Sequence, residues 1–405
     1  MTAERRVPGQ DGTAWDPEPR DYVFTFSFET YADASFRGFM RPPDRIMQTM
    51  MAHPAVGKLV VANPPRWHPR ILAGRYLDRH AHFPTTNDHH LHKFGRWKRS
   101  DPVTPDQVER AMAAYDRSLE RAARRHGLTH PHVVTAHPFV AGFCEFAWAD
   151  RVTFFCRDDW LSTTAYRPLW PAFAEAYRRI SRSGRSVAAV SQQILDRIDP
   201  TGPALVLPNG VEPAEWLGPL PADPDWLAAI PRPRAVYVGT LDQRLDIEGL
   251  VELAGKIPEL QIVLLGPVGD DDRLTEVEGV PNIHLHDHVG RGELVATLRN
   301  ADLCLLSHRR TPLTEAMSPL KVYEYLAAGC PVVATDLPPV RSISERVLLS
   351  PDVASSDGMV REALALGPWS EPARREFVAA NSWRSRHDLL LSLTQGRERI
   401  APERK

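Results

Sequence analysis

The sequence predicts an α/β chain of two doubly wound, Rossmann-like domains whose parallel sheets face each other across a cleft. Three observations predict it. The chain has 405 residues, enough for two or three domains at roughly 100–200 residues each. Short apolar runs alternate with longer segments of helical spacing, the pattern of parallel strands joined by crossover helices. A proline-dense stretch then separates two similar sets of such runs.

The first set comprises residues 22–26, 58–61, 132–135, 152–155 and 186–190, and the second residues 235–238, 261–265, 282–285, 303–306 and 331–334. Each run is apolar throughout rather than alternating, as strands covered on both faces are. Between the sets stand Pro208, Pro213, Pro219, Pro221, Pro224, Pro231 and Pro233. So dense a cluster sustains neither a helix nor a central strand, which marks a linker. The expected organisation is a disordered segment at 1–20, a first domain at 21–206, a linker at 207–233 and a second domain at 234–375. Residues 376–405 are expected to form a helix packing back across both domains, plus a tail. In the second half, Ile247, Leu250, Val251 and Ala254 follow helical spacing. Ser318-Pro319 reads as an N-cap and first helical residue, with Gly329 ending that helix. Two such domains place a ligand beyond the carboxyl ends of their strands.

Composition narrows the function classes. The 49 basic and 51 acidic side chains leave a net charge of −2, which argues against a general polyanion binder such as a nucleic-acid protein. The total conceals a split, with residues 1–200 at +6 and residues 201–405 at −8. Cys144, Cys156, Cys304 and Cys330 are widely spaced, as buried free thiols in a reducing compartment would be. The polar N-terminus lacks a signal-peptide core, and no run of about 18 apolar residues occurs. A cytoplasmic protein is expected, peripheral at the inner membrane face if its basic half meets anionic lipid. No G-x-G-x-x-G follows any predicted strand, which disfavours a dehydrogenase.

The most informative stretch is TPLTEAMSPLKVYEYLAAGCPVVATDLPPV, residues 311–340. A helix opening at Ser318 and Pro319 offers free N–H groups and a dipole to an anion, and Lys321 adds charge in the first turn. Glu324 lies three residues on, along the same face, where its carboxylate reaches a hydroxyl-bearing group beside that anion. A ribose joined to a diphosphate fits the pair. So does an ordinary capped helix with a surface Lys–Glu pair.

These residues resemble the donor signature P-L-K-x-Y-E-Y-L-A-x-G-x-P-V-V of GT-B glycosyltransferases of family 4 (group 1). YVGTLDQRLDIEGL at 237–250, LPNGVE at 207–212, FCRDDW at 155–160 and FMRPPDRIM at 39–47 resemble other pieces of that family, in its order. The resemblance implies the GT-B fold. It also implies transfer of a sugar from a nucleotide diphosphate donor to an acceptor hydroxyl, with retention of configuration and no metal or other cofactor. Envelope polysaccharide or secondary-metabolite glycoside synthesis would be the setting. Ser318, Pro319, Leu320 and Lys321 match positions facing the diphosphate, and Glu324 the second glutamate of an E-x7-E pattern that holds the ribose. The chain departs from the pattern at Ala316, where the first glutamate would stand, and at Thr240, where many relatives follow Gly239 with arginine. Arg244 is then a candidate for phosphate contact, or a solvated residue at a helix start.

On the acceptor side, His137 follows a strand in HVVTAHPFVAGF, as a structural histidine or as one that donates a hydrogen bond or shuttles a proton near neutral pH. Asp158 and Asp159 follow the next strand, placed either to engage an acceptor hydroxyl or to cap the following helix. Arg41-Pro42 resembles an element that contacts acceptor or phosphate. The histidines of residues 79–100 have no zinc-site spacing, and Pro84, Asn87 and Asp88 mark an irregular loop. With Phe94, Trp97 and several cations, that loop suits a phospholipid surface or a lipid-linked acceptor. The alternatives to transfer are a sugar-nucleotide 2-epimerase and a non-catalytic GT-B partner that binds nucleotide sugar.

Overall fold

The computed structural model describes residues 18–67, 81–96, 101–269 and 272–396. Its strands are β1 (Arg20–Thr25), β2 (Val56–Ala62), β3 (Arg66–Trp67), β4 (His89–His92), β5 (Gly95–Arg96), β6 (His132–Thr135), β7 (Arg151–Cys156), β8 (Ser186–Ala189), β9 (Ala204–Val206), β10 (Arg234–Val238), β11 (Gln261–Leu265), β12 (Ile283–His286), β13 (Leu303–Leu306), β14 (Val332–Thr335) and β15 (Val347–Ser350). They build a seven-stranded sheet in the order β4-β2-β1-β6-β7-β8-β9 and a six-stranded sheet in the order β12-β11-β10-β13-β14-β15, with a small β3-β5 pair beside the first.

Every pairing in the two sheets is parallel. The central strands read HVVT, QIVLL and LCLL because helices cover both faces and leave no solvent side for polar residues. Each sheet reverses its strand order once, at β1/β6 and at β10/β13. A crevice opens at such a reversal, and ligands bind there.

The stretch 207–233 contains only the short helices Pro213–Trp216 and Asp225–Ala228. The chain crosses between the sheets twice, side by side, where Val211 and Ser382 form a parallel bridge. After the second crossing the helix Trp383–Thr394 lies on the first sheet, with Leu390, Leu391 and Leu393 in its core. The Tyr22 hydroxyl bonds Thr394 Oγ1 at 2.9 Å, which ties this helix to β1.

The structure corrects the reading of the histidine-rich stretch as an irregular loop. Its centre is the edge strand β4, which continues the sheet beside β2. His92 Nε2 bonds Ser118 Oγ at 2.9 Å, and the His90 ring stacks on His126 at 3.7 Å. Imidazoles here take the inward places that aliphatic side chains take elsewhere, which removed the apolar signal. His80, Trp97, Lys98 and Arg99 lie outside the described residues, as do residues 1–17 and the tail after 396. The four cysteines are free and buried.

Candidate functional site

The second domain contributes a cationic floor. β10 ends in Tyr237-Val238-Gly239, and Gly239 has φ +143, which favours glycine. Its missing side chain also makes room, since a Cβ there would stand 2.6 Å from Lys321 Nζ. That ammonium rests 4.0 Å from the centre of the Tyr237 ring and 3.4 Å from His308 Nε2. Lys321 makes no ion pair with a described carboxylate. Burial, then the nearby Arg244, brings its pKa down to about 7. Burial and the flanking Lys321 and Arg244 also hold His308 well below the usual histidine range, so its ring is neutral. Lysine only donates, so His308 Nε2 accepts and the proton sits on Nδ1, which is buried and has no described partner.

The helix behind Lys321 runs Leu320–Ala328 and ends at Gly329, whose φ of +94 makes it a left-handed cap. Its start differs from expectation by one residue. Pro319, not Ser318, is the N-cap, and no side chain caps the first turn. Ser318 is instead bound to the linker, accepting from the Asn209 N–H at 3.4 Å, while its carbonyl accepts from Asn209 Nδ2 at 2.7 Å. The first turn thus keeps its dipole uncapped beside Lys321, an arrangement that suits an anion.

Arg244 and Asp242 form a bidentate pair, with Nε–Oδ1 at 2.9 Å and Nη2–Oδ2 at 2.6 Å. Asp158, on the first domain, acts electrostatically on the same guanidinium, so the two domains meet here. Thr240 is exposed in the turn between Gly239 and Arg244.

Glu324 is 8% exposed. Its Oε1 accepts from Arg291 Nη1 at 2.6 Å, and its Oε2 bonds no described residue and is not among the fully enclosed atoms. Burial raises its pKa, and Arg291 opposes that rise. Arg291 also donates through Nε to Glu215 at 2.9 Å and lies 5.2 Å from the centre of the Trp216 ring. Arg45, on the first domain, reaches Glu215 at 3.0 Å. The alternating chain Arg45–Glu215–Arg291–Glu324 therefore runs from one domain to the carboxylate on the helix that carries Lys321. Neither Arg291 nor Glu215 had a local motif to announce it.

The first domain faces this floor with His137, Glu29 and two arginines. His137 is buried and caps the helix Pro138–Phe143 through its own Nδ1, which accepts from the Phe139 N–H at 3.1 Å. Burial brings its pKa down to about 3 despite Glu29. The ring is neutral, its proton is on Nε2, and Nε2 bonds no described residue. A neutral ring in that tautomer offers a hydrogen-bond donor at Nε2.

Glu29 is a hub that the sequence did not single out. Arg41 and Arg157 both pair with it, the latter at 2.8 Å, and Ser27 donates to it at 2.6 Å. Burial pulls its pKa upward, but these partners bring it down to about 2. Arg157 also reaches Asp158 at 3.1 Å, which leaves Asp158 partly exposed at the cleft. Asp159 is placed differently. It is 2% exposed, accepts from the Leu161 N–H at 3.3 Å, and is held by Ser162 and Arg197. These partners tie it to the turn after β7; the following helix, Thr164–Leu169, has Thr163 as its N-cap and no side-chain cap. Among the described residues, no three His, Cys, Asp or Glu side chains stand close enough to hold a metal.

Known proteins match this architecture at two levels. Residues 232–365 match the family described as glycosyl transferases group 1. A putative teichuronic acid biosynthesis glycosyltransferase, TuaH of Bacillus subtilis, is 29% identical over 104 residues, about a quarter of either chain (25% of this one, 26% of that). Three solved structures align with nearly the whole chain. An α,α-trehalose-phosphate synthase (UDP-forming) from Burkholderia vietnamiensis has a TM-score of 0.67 at 13% identity, covering 93% of this chain and 99% of that one. Sucrose-phosphate synthase from Thermosynechococcus elongatus gives 0.62 at 16%, with coverage of 93% and 99%. WaaG, a glycosyltransferase involved in lipopolysaccharide biosynthesis, gives 0.52 at 16%, with coverage of 93% and 98%. The chain therefore has the GT-B fold, and its second domain matches the group 1 glycosyltransferases.

Proposed function

We propose that this protein is a glycosyltransferase that takes a sugar from a nucleotide diphosphate donor and passes it to an acceptor hydroxyl in the cleft. The observation that carries the reading is the placing of Lys321. An ammonium without a carboxylate partner lies against a glycine and an uncapped helix start, three residues from a carboxylate with one open oxygen. A diphosphate supplies the missing counter-charge, and the ribose hydroxyls donate to Glu324 Oε2. As the glycosidic bond breaks, negative charge grows on the leaving phosphate. Lys321, the helix start and Arg244 stabilise it there. His137 Nε2–H donates to the donor sugar or to the reacting oxygens. Glu29 is held by Arg41, Arg157 and Ser27, and Asp159 by Ser162 and Arg197, pairings that disfavour either as a strong base and support attack on the same face, with the leaving phosphate accepting the acceptor's proton and hence retention.

The acceptor side offers Arg41, Arg157 and Asp158, and an anionic or lipid-linked acceptor suits its charge. On the helix Pro105–Arg125, Arg117, Arg121 and Arg125 follow i, i+4, i+8 spacing, are exposed and make no ion pair with a described residue. Such a stripe supports peripheral contact with an anionic membrane. No described helix is long and apolar enough to cross one.

Incubation with UDP-, GDP- and dTDP-sugars and a panel of acceptors tests the reading. Product formation that Glu324→Ala and Lys321→Met abolish is the expected result. Turnover of a nucleotide sugar without any acceptor would favour epimerisation instead. The non-catalytic reading has one observation behind it: Ala316 brings no carboxylate, and its carbonyl is occupied by Ser191 Oγ of the other domain at 2.5 Å. Nucleotide-sugar binding with neither hydrolysis nor transfer, and a cellular product spared by Glu324→Ala, would support it.

A further inference from the structure

A cavity lies where the chain crosses between the domains. It has a volume of about 360 Å³ and is walled by the loops after β8 and β14, the linker and the returning crossing. Ser318 forms part of its wall, but Lys321, His308, Arg244 and Glu324 do not line it. Its lining contains Arg341 and Arg386 and no acidic residue.

The two arginines differ. Arg341 is half-exposed and bound to Asp336 at 2.6 Å. Arg386 is mostly buried, donates to the Asn381 side chain, and makes no ion pair with any described carboxylate. Its Nε is fully enclosed without a partner, and burial lowers its pKa. A buried guanidinium left in that state is costly, because nothing replaces the water it has lost. Tyr323 sits beneath it, 6.0 Å from ring centre to guanidinium carbon, 4% exposed, with a hydroxyl that bonds no described residue. At the rim Ser342 holds a left-handed φ of +62, a strained conformation for a residue with a side chain. Gln193 adds an amide with no described partner, and Val190 and Pro339 give an apolar wall.

We propose that this hinge cavity binds a small organic anion, a sugar-sized molecule carrying a phosphate ester or a carboxylate. The anion pairs with Arg386 and accepts from the Tyr323 hydroxyl and Gln193, and its body rests on the apolar wall. The volume suits a monosaccharide derivative, at the lower end of the range for small-molecule sites. The guanidinium fork favours a planar carboxylate or a phosphate over a neutral sugar. Because the walls come from both domains and both crossings, an occupant bridges the hinge. This site does not depend on the glycosyltransferase reading.

Calorimetric titration with ribose 5-phosphate, glucuronate and glucose tests it on the intact protein and on Lys321→Met, Arg386→Gln and Gln193→Glu. One of the two anions, and not glucose, is expected to bind the intact protein and Lys321→Met alike, and which one binds identifies the head group. Affinity should fall at least tenfold in Arg386→Gln. Gln193→Glu places a negative charge in the cavity without changing its volume, so it should weaken binding to the same degree even if Arg386→Gln fails to fold. Binding lost in Lys321→Met but kept in Gln193→Glu would assign the anion to the donor floor and overturn the proposal. So would no binding of either anion at roughly 10 mM, a concentration that detects even millimolar affinity.

Discussion

Lys321 is the residue on which the donor reading turns, and its protonation gives that reading a sign. The ammonium, ordinarily titrating near 10.5, titrates near 7 because burial and Arg244 disfavour its charge, while Asp242 and Glu324 pull the other way. Tyr237 and His308, the groups packed against it, carry no charge to offset this. A diphosphate binds the protonated form, so affinity should fall as pH rises above 7, and binding should draw in a proton. At pH 8 a substantial fraction of one proton should be taken up per nucleoside diphosphate bound. Calorimetry in two buffers of different ionisation enthalpy measures it, and zero uptake would remove Lys321 from the phosphate contact. In the free protein the same lysine has the opposite consequence. Between pH 7 and 10.5 the unfolded chain holds a proton that the folded one does not, so this group's contribution to stability rises with pH across that window.

Arg291 joins Glu215 to Glu324. It is the counter-charge of both Glu215 and Glu324, each largely shielded from water. Arg291→Met would leave Glu324 without a partner and Glu215 with Arg45 alone, and should destabilise the second domain by about 3 kcal/mol in denaturant titration. Glu324 would then protonate more readily, so donor affinity near pH 7 should fall further than the lost stability alone explains. Arg291→Lys keeps the charge without the fork and should restore most of the stability but less of the donor affinity.

At the scale of elements, the returning helix Trp383–Thr394 shows how the linker crossing is fixed. It belongs to the end of the chain yet completes the first domain, with Leu391 at 1% exposure in that domain's core. Leu391→Ala should cost about 3 kcal/mol. The loss should appear in the unfolding of the first domain rather than the second, as resolved by tryptophan fluorescence and hydrogen exchange.

The same scale shows what local sequence could reveal. The strands with continuous apolar runs, such as QIVLL and LCLL, and the helix ending at Gly329 were legible because their signals lie within a few residues of one another. Edge strand β4 was not, because two of its positions are histidines, His92 bonded to Ser118 on the helix Pro105–Arg125 and His90 stacked on His126 just past that helix. Glu29, Arg157, Glu215 and Arg291 were missed for a related reason. Each takes its meaning from a partner distant in sequence, 128 residues away for Glu29 and Arg157. His308 followed a recognised strand, but a lone histidine in a loop carries no spacing to distinguish it.

At the scale of the whole molecule, the near-zero net charge is the sum of a basic first half at +6 and an acidic second half at −8. The excess is not spread evenly. Residues 58–125 alone carry a net of +7. On the helix Pro105–Arg125, Arg124 is matched to Glu120 at 2.7 Å, while Arg117, Arg121 and Arg125 have no such partner. Arg121 and Arg125 are close enough to His92 to help hold its pKa down to about 4, after burial, so the basic field continues onto β4. An acidic second domain would be repelled by an anionic bilayer and so would orient the molecule with this stripe toward the surface. Each cation near such a surface contributes about 1 kcal/mol. Replacing all three with glutamine should therefore cost about 3 kcal/mol, a drop of roughly 100-fold in partitioning onto vesicles rich in anionic lipid. The three side chains are exposed, so the variant should unfold at the same temperature as the parent and bind nucleotide as well. Co-sedimentation with anionic and neutral vesicles at two salt concentrations checks the prediction. Equal binding by parent and variant, or binding indifferent to salt, would show that the stripe is a solvated face with no part in placing the protein.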